Sequence, residues 1–226
     1  MADALRDFRA TKLYDLLAAS PLIVWYGFGT AGLWPQLTHA FREGLSTGSG
    51  AFWLQGFSLA ASLVFLGLEI LIFFVRSPPV HFSESWASRA MALLAANSGV
   101  AFLILPRATI SPLAAIVSSV LSLSGSLMAI FVLGWLGRSF SILPQARRLV
   151  TEGPYRLVRH PLYLAEMIAS LGVAIQFEQP WATVIAVFIF ALQFPRMHYE
   201  EAILEKAFPL YRDYSARTAK LLPGFY

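Results

Sequence analysis

The chain has 226 residues, 57% of them hydrophobic and only 13% charged, with a mean hydropathy of +0.62; ordinary soluble domains carry about 45–50% and about 25%. It contains no cysteine, which excludes disulfides, thiolate nucleophiles and cysteine-held metal sites. The net charge of +4 comes without a basic, aromatic-interleaved patch on a soluble segment, so it reads as membrane topology and contact with anionic lipid; no nucleic-acid partner is expected.

The N-terminus carries Asp3 and Asp7 and lacks the short apolar core and small-residue cleavage site of a secretory signal. Residues 5–17 set Leu5, Phe8, Leu13, Leu16 and Leu17 among Arg6, Arg9 and Lys12, which predicts an interfacial helix or a plain extension of the first span. Runs long enough to cross a bilayer, about 20 residues, are read at 14–34, 52–75, 87–105 and 112–136. Two shorter runs, 161–177 and 180–197, are joined by Phe177-Glu178-Gln179-Pro180 and predict a tight helical hairpin. The expected fold class is therefore all-α: a polytopic transmembrane helix bundle of about six spans, with the hairpin at its C-terminal end and both termini cytoplasmic. On that reading 15 of the 17 basic residues fall on one side and only Arg42 and Arg107 on the other, a strong positive-inside pattern. Residues 1–136 would form a four-span scaffold and 137–226 a region at the cytoplasmic edge, with hairpin and amphipathic tail, in one integrated domain.

Punctuation within this frame is modest. Pro35, Pro78-Pro79, Pro106, Pro112 and Pro144 are read as helix ends. The fourth span is rich in small residues (Ser118, Ser119, Ser122, Ser124, Gly125, Ser126), which predicts a central place in the bundle. Gly27-x-Gly29-x-x-Gly32 spells a dinucleotide fingerprint but lies inside an apolar span with no preceding strand, so helix packing is the better account. Glu69 in the second span and Glu166 in the fifth are intramembrane carboxylates, functional candidates by default. Glu166 is expected to line a pocket, whereas Glu69 is balanced between a helix-bridging hydrogen bond and an acceptor cavity. Asn97 and Gln193 are read as interhelical polar contacts, and the six tryptophans mostly as interface anchors. His39 and His81 are loop residues with no assigned role.

Two stretches carry chemistry. In Gly153-Pro154-Tyr155-Arg156-Leu157-Val158-Arg159-His160-Pro161-Leu162-Tyr163 the Gly-Pro pair makes a turn, and Pro161 suits the first turn of the following helix. His160 then stands at the helix mouth, where free N–H groups favour an anionic ligand group. In Arg196-Met197-His198-Tyr199-Glu200-Glu201, Arg196 and Glu200 share a helix face while Glu201 is turned about 100° further. A plain interfacial anchor and a solvated ion pair are the structural alternatives. Phe208, Tyr211 and Tyr214 continue an aromatic series suited to lying on the membrane or folding back over a site.

These elements, in this order, resemble the isoprenylcysteine carboxyl methyltransferase and phospholipid methyltransferase superfamily of integral membrane enzymes. The resemblance covers about 153–223: Gly-Pro-Tyr-Arg-x-Val-Arg-His-Pro-x-Tyr, an apolar hairpin, Arg-x-x-x-Glu-Glu-x-x-Leu, Phe-x-x-Tyr-x-x-Tyr and a terminal Leu-Pro. It implies S-adenosylmethionine as cofactor and a lipid-linked or lipophilic small-molecule acceptor. Tyr155, Arg159, His160, Pro161, Tyr163 and Glu201 would bind the cofactor; Arg196, Glu200 and Glu201 would serve the reacting centre; Glu166, Tyr211 and Tyr214 would meet the acceptor or close the pocket. Two positions depart from the family pattern: Ala165 replaces a small residue that is commonly Gly, and Pro209 replaces the usual Gly after Phe208. No metal is implied, since displacement at a methyl group needs positioning of two partners. The acceptor stays open among a prenylcysteine-type carboxylate, a phospholipid amine and a small lipophilic molecule, because Arg196 suits the first and the two glutamates suit an amine. Two other readings compete: an NADPH-dependent sterol- or steroid-type membrane reductase, which shares an Arg-His-Pro-x-Tyr element, and a non-enzymatic transport or structural protein, against which the missing internal repeat counts.

Overall fold

A computed structural model describes residues 11–83 and 85–224; the expectation of an interfacial helix over 5–10, and Arg6 and Arg9 with it, lies outside the described residues. Among the described residues the chain is all-α apart from one two-residue strand pair, His81–Phe82 (β1) with Gln145–Ala146 (β2), and two isolated bridges. Helix α1 spans Lys12–Thr47, α2 Gly50–Val75, α3 Trp86–Asn97 (prolonged by a 3-10 stretch, Ser98–Ile104), α4 Pro112–Leu136, α5 Pro161–Ala174, α6 Trp181–Ala207 and α7 Tyr211–Arg217. Among the described residues five segments are long and apolar enough to cross a membrane by length and composition. Of the about six expected spans, the fifth, read as short, is α5 with 14 residues, while its hairpin partner α6 is long enough. The lipid-facing surface fits this assignment: Phe28, Leu103, Leu113, Phe131 and Val187 are all exposed.

Helix ends follow local chemistry. The Thr11 hydroxyl accepts the Tyr14 N–H at 3.2 Å to start α1, and Gly48, at φ 67°, ends it. The Ser111 hydroxyl caps α4, with Pro112 at its first position. Pro35 is not a helix end: α1 runs through Pro21 and Pro35 for 36 residues, well beyond the predicted 14–34. Proline removes one ladder bond, here the one to the Ala31 carbonyl, without ending a helix in an apolar segment. Nearby, Gln36 Nε2 donates to the Gly32 carbonyl and Thr38 Oγ1 to that of Pro35.

Short α5 nevertheless joins the two ends of the bundle. Arg159 and His160, just before it, donate backbone N–H groups to the carbonyls of Ala219 and Lys220. Just after it, the Gln176 carbonyl accepts from Ala108 N–H, and Glu178 N–H donates to Pro106. Arg107, at that far end, reaches Gln36 and Gln176. At the near end β1 pairs with β2, and Ser77 N–H bonds to the Arg138 carbonyl. The basic loops thus gather at one end.

Helix α4 is central, as its small residues predict, packing on α2 and most extensively on α5. A Cβ on Gly125 would fall 2.4 Å from the Ala169 nitrogen and 2.8 Å from the Ala165 carbonyl oxygen. The bareness of Gly125 therefore accommodates this stretch of α5, Ala165 included. Ser118 Oγ donates to the Gly172 carbonyl and Ser62 Oγ meets Ser126 Oγ at 3.1 Å. Asn97 and Gln193 do not bridge helices as expected. Asn97 donates to Leu93 in its own helix, leaving its side-chain oxygen buried without a hydrogen bond, and Gln193 accepts from Arg196 one turn on.

A buried charge cluster at the basic end was not foreseen. Asp15 accepts from Arg76 Nε and Nη2, both at 2.8 Å, and from Arg147 Nη2 at 2.7 Å. Arg147 also donates to the Ser77 carbonyl and to Gln145 Oε1. Lys12 Nζ donates to the carbonyls of Phe73 and Arg76, terminating α2. Burial first, and then the neighbouring Arg76 charge, push the Arg147 guanidinium down to about 10. The cluster pins α1, the end of α2 and the 137–150 loop together.

Candidate active site

The site lies where that loop, the 153–163 segment, the end of α6 and the tail converge. Gly153 opens a short 3-10 turn, Gly153–Arg156, with φ 59°, and the Trp135 indole lies where a Cβ would be (2.2 Å). Positive φ and close packing both demand glycine there. Trp135 is thus more than an interface anchor. The turn buries Tyr155, whose carbonyl accepts the Tyr214 hydroxyl at 2.7 Å. Val158 forms a parallel bridge with Ala219, so the segment is held in register against the tail before Pro161 starts α5.

Two acid-centred contacts join the segment to α6. Glu201 Oε1 lies 2.9 Å from His160 Nε2 and 3.3 Å from Arg159 Nε, and its other oxygen is 3.3 Å from Lys220 Nζ. On the adjacent position of α6, turned about 100° from Glu201, Glu200 accepts the Tyr163 hydroxyl. The Arg196 guanidinium lies over the Tyr163 ring, 4.5 Å from its centroid, and the His160 and Tyr163 rings stack at 5.2 Å.

These groups border two cavities. The first is lined by Tyr155, Arg159, His160, Tyr163, Arg196, Glu200, Tyr211 and Tyr214, with Phe140, Leu149 and Leu162 as apolar wall. The second lies among α1, α2, α3, α5 and α6 and is lined by Tyr26, Glu69, Glu166, Gln193 and Arg196. Arg196 is common to both.

Of the residues expected to bind cofactor, Tyr155, Arg159, His160 and Tyr163 do share the first cavity. Pro161 is buried as the first residue of α5, and Glu201 supports His160 from behind the cavity wall. Tyr211 and Tyr214 line the same cavity. Glu166 does not: it faces the second, 3.5 Å from Arg196 Nη1. Burial first, then nearby carboxylates, raise the Tyr155 and Tyr211 phenols; burial also raises Tyr214 despite the opposing Arg159. All three remain neutral donors. The Tyr211 hydroxyl is buried without a hydrogen-bond partner. Sequence reasoning missed Lys220, Trp135 and the 140–150 wall. The basic character of the tail was visible, but its pairing with residues 158–160 was not.

Fold and site together define an integral membrane protein with a cavity lined by polar and aromatic groups at the basic end of an apolar bundle. Residues 107–210 match the family described as phospholipid methyltransferase. The chain is 38% identical over 76 residues to the cobalt-zinc-cadmium resistance protein of Cupriavidus metallidurans, covering 33% of this chain and 35% of that protein. It is 34% identical over 80 residues to the nickel-cobalt-cadmium resistance protein of Alcaligenes xylosoxydans xylosoxydans, covering 35% and 38%. It is 35% identical over 94 residues to protein-S-isoprenylcysteine O-methyltransferase B of Arabidopsis thaliana, covering 38% and 48%. The matches span less than half the length of each of these relatives. Over this region the chain is similar to the phospholipid methyltransferase family and to the isoprenylcysteine O-methyltransferases.

Proposed function

We propose that the protein is a membrane methyltransferase that moves a methyl group from S-adenosylmethionine to a lipophilic acceptor at the cytoplasmic edge of the bilayer. The observation that carries this reading is the joining of two separated motifs, His160 to Glu201 and Tyr163 to Glu200, beside one cavity at the basic end. By the positive-inside rule that end is cytoplasmic.

The residues fit the cofactor. The buried, unpartnered Tyr211 hydroxyl is a donor in want of an acceptor, the Phe140–Leu149–Leu162 wall suits an aromatic base, and Glu200 suits a cationic centre. When bound, S-adenosylmethionine supplies a methyl carbon on a sulfonium; the methyl–sulfur bond breaks as the acceptor bond forms, and its electron pair stays on sulfur. The chain's part is positioning. Glu201 holds the His160 ring from behind, Tyr163 and Arg196 hold Glu200 and the shared wall, and Tyr211 and Tyr214 close the side away from the bundle.

Calorimetry of detergent-purified protein with S-adenosylmethionine tests the reading. Saturable binding is expected in wild type, weakened at least tenfold in His160→Ala and Glu201→Gln. NADPH binding with no S-adenosylmethionine binding would replace this reading by the reductase.

A further inference from the structure

The second cavity differs in kind from the first. It lies beyond Arg196, within the helix bundle, and its polar lining comes from two sources. Glu166, Gln193 and Arg196 belong to the family-matching region, whereas Tyr26 on α1 and Glu69 on α2 lie outside it. Glu166 and Arg196 already form an ion pair. Glu69 is only 4% exposed and, among the described residues, makes no hydrogen bond or ion pair. A buried carboxylate without a partner is costly, whichever protonation state it holds. The Tyr26 hydroxyl likewise has no hydrogen bond among the described residues. The cavity therefore presents one uncompensated acid and one free hydroxyl. On its α3 side the wall includes Ser98 and exposed Gly99, where α3 gives way to the 3-10 stretch, with lipid-facing Leu103 and Ile104 alongside. Exposed Gly99 brings this wall of the cavity to the bundle surface.

We infer that this cavity receives the polar head of the methyl acceptor and that Glu69 selects a basic nitrogen over a carboxylate. The inference rests on the methyltransferase reading and names its substrate class: a lipophilic amine, free or on a phospholipid. An ammonium head supplies the charge that Glu69 lacks, while a carboxylate head would place a third acid group beside a single arginine. Before the nitrogen lone pair attacks, the ammonium must lose a proton, and the Glu69 carboxylate is placed to receive it. Glu69 is thereby both a specificity-determining group and the local proton acceptor.

The test uses the full chain in detergent or in phosphatidylcholine vesicles, with three probes: hexadecylamine, phosphatidylethanolamine and a farnesylated cysteine carboxylate. Hexadecylamine should raise the thermal unfolding midpoint of wild type, and Glu69→Gln should abolish that rise while leaving S-adenosylmethionine binding unchanged. Labelled methyl should enter an amine and not the carboxylate, and Glu69→Gln should raise the KM for the amine at least tenfold. Label in hexadecylamine alone identifies a free amine as the acceptor, and label in phosphatidylethanolamine identifies a lipid headgroup; either supports the assignment. Glu69→Asp, retaining the charge, should recover part of the stabilisation, which separates the charge from a packing role. Methylation of the farnesylated cysteine in preference to both amines, or equal stabilisation of wild type and Glu69→Gln by hexadecylamine, overturns the assignment. Absence of S-adenosylmethionine binding together with Glu69-dependent amine stabilisation would instead overturn the methyltransferase reading and leave an amine site standing.

Discussion

Two acids at the basic end are each ringed by cations, and they are built for different ends. Asp15 is sealed: its side chain is 2% exposed, Arg147 is fully covered, and every short contact runs to another helix end or loop. Glu201 is 16% exposed, and its partner His160 lines a cavity. Around Asp15 both carboxylate oxygens are taken by guanidiniums, and Arg147 Nε is the one atom of the cluster left without a hydrogen bond among the described residues. Around Glu201 the network stops at a space, and that space holds an orphaned Tyr211 hydroxyl. An acid clamped between two buried guanidiniums marks a clasp, and an acid network that ends at a cavity with a free hydroxyl marks a place for a ligand.

The contrast can be broken from either side. The largest effect is expected at the clasp: Asp15→Ala leaves two buried guanidiniums uncompensated and should cost about 3–5 kcal/mol. Thermal unfolding in detergent should fall sharply, and added S-adenosylmethionine should not restore wild-type stability. Next comes Gly153→Ala, which forces a side chain into Trp135 at a positive φ and should cost about 1–3 kcal/mol from backbone strain alone. Trp135→Ala should recover the packing part of that loss and not the conformational part. At the cavity, Glu201→Gln keeps shape and one acceptor, so stability should drop by only about 1–2 kcal/mol. Its signature is functional: cofactor affinity falls at least tenfold in calorimetry while most of the fold survives. The smallest effect belongs to the exposed Arg212–Glu205 pair at 2.8 Å; Arg212→Ala should change neither unfolding midpoint nor binding measurably. If Asp15→Ala and Glu201→Gln gave the same stability loss, the distinction between clasp and site would collapse.

How much of this was legible varies with the kind of residue. Hydropathy located the long helices because lipid exposure is a property of each segment by itself. The proline rule overcalled Pro35 as a helix end, since a long apolar helix keeps its path through the loss of a single ladder bond. The family motifs identified His160, Tyr163, Arg196 and Glu200, which do converge on one cavity. They could not reveal that Glu166 turns into a different one, because facing direction depends on which helix lies opposite. Asp15 sat in plain view as an acid inside an apolar run, but its partners lie 61 and 132 residues away along the chain. Only the assembled bundle brings Arg76 and Arg147 to it.

The backbone pairing of Arg159 and His160 with Ala219 and Lys220 imposes a sequence of events on synthesis. The helices can insert one after another as they leave the ribosome, but the His-Pro segment gains its second edge only when the tail has emerged. The site is thus finished last, after the bundle that carries it. A nascent chain arrested before residue 219 would be a well-inserted membrane protein that cannot yet hold its ligand.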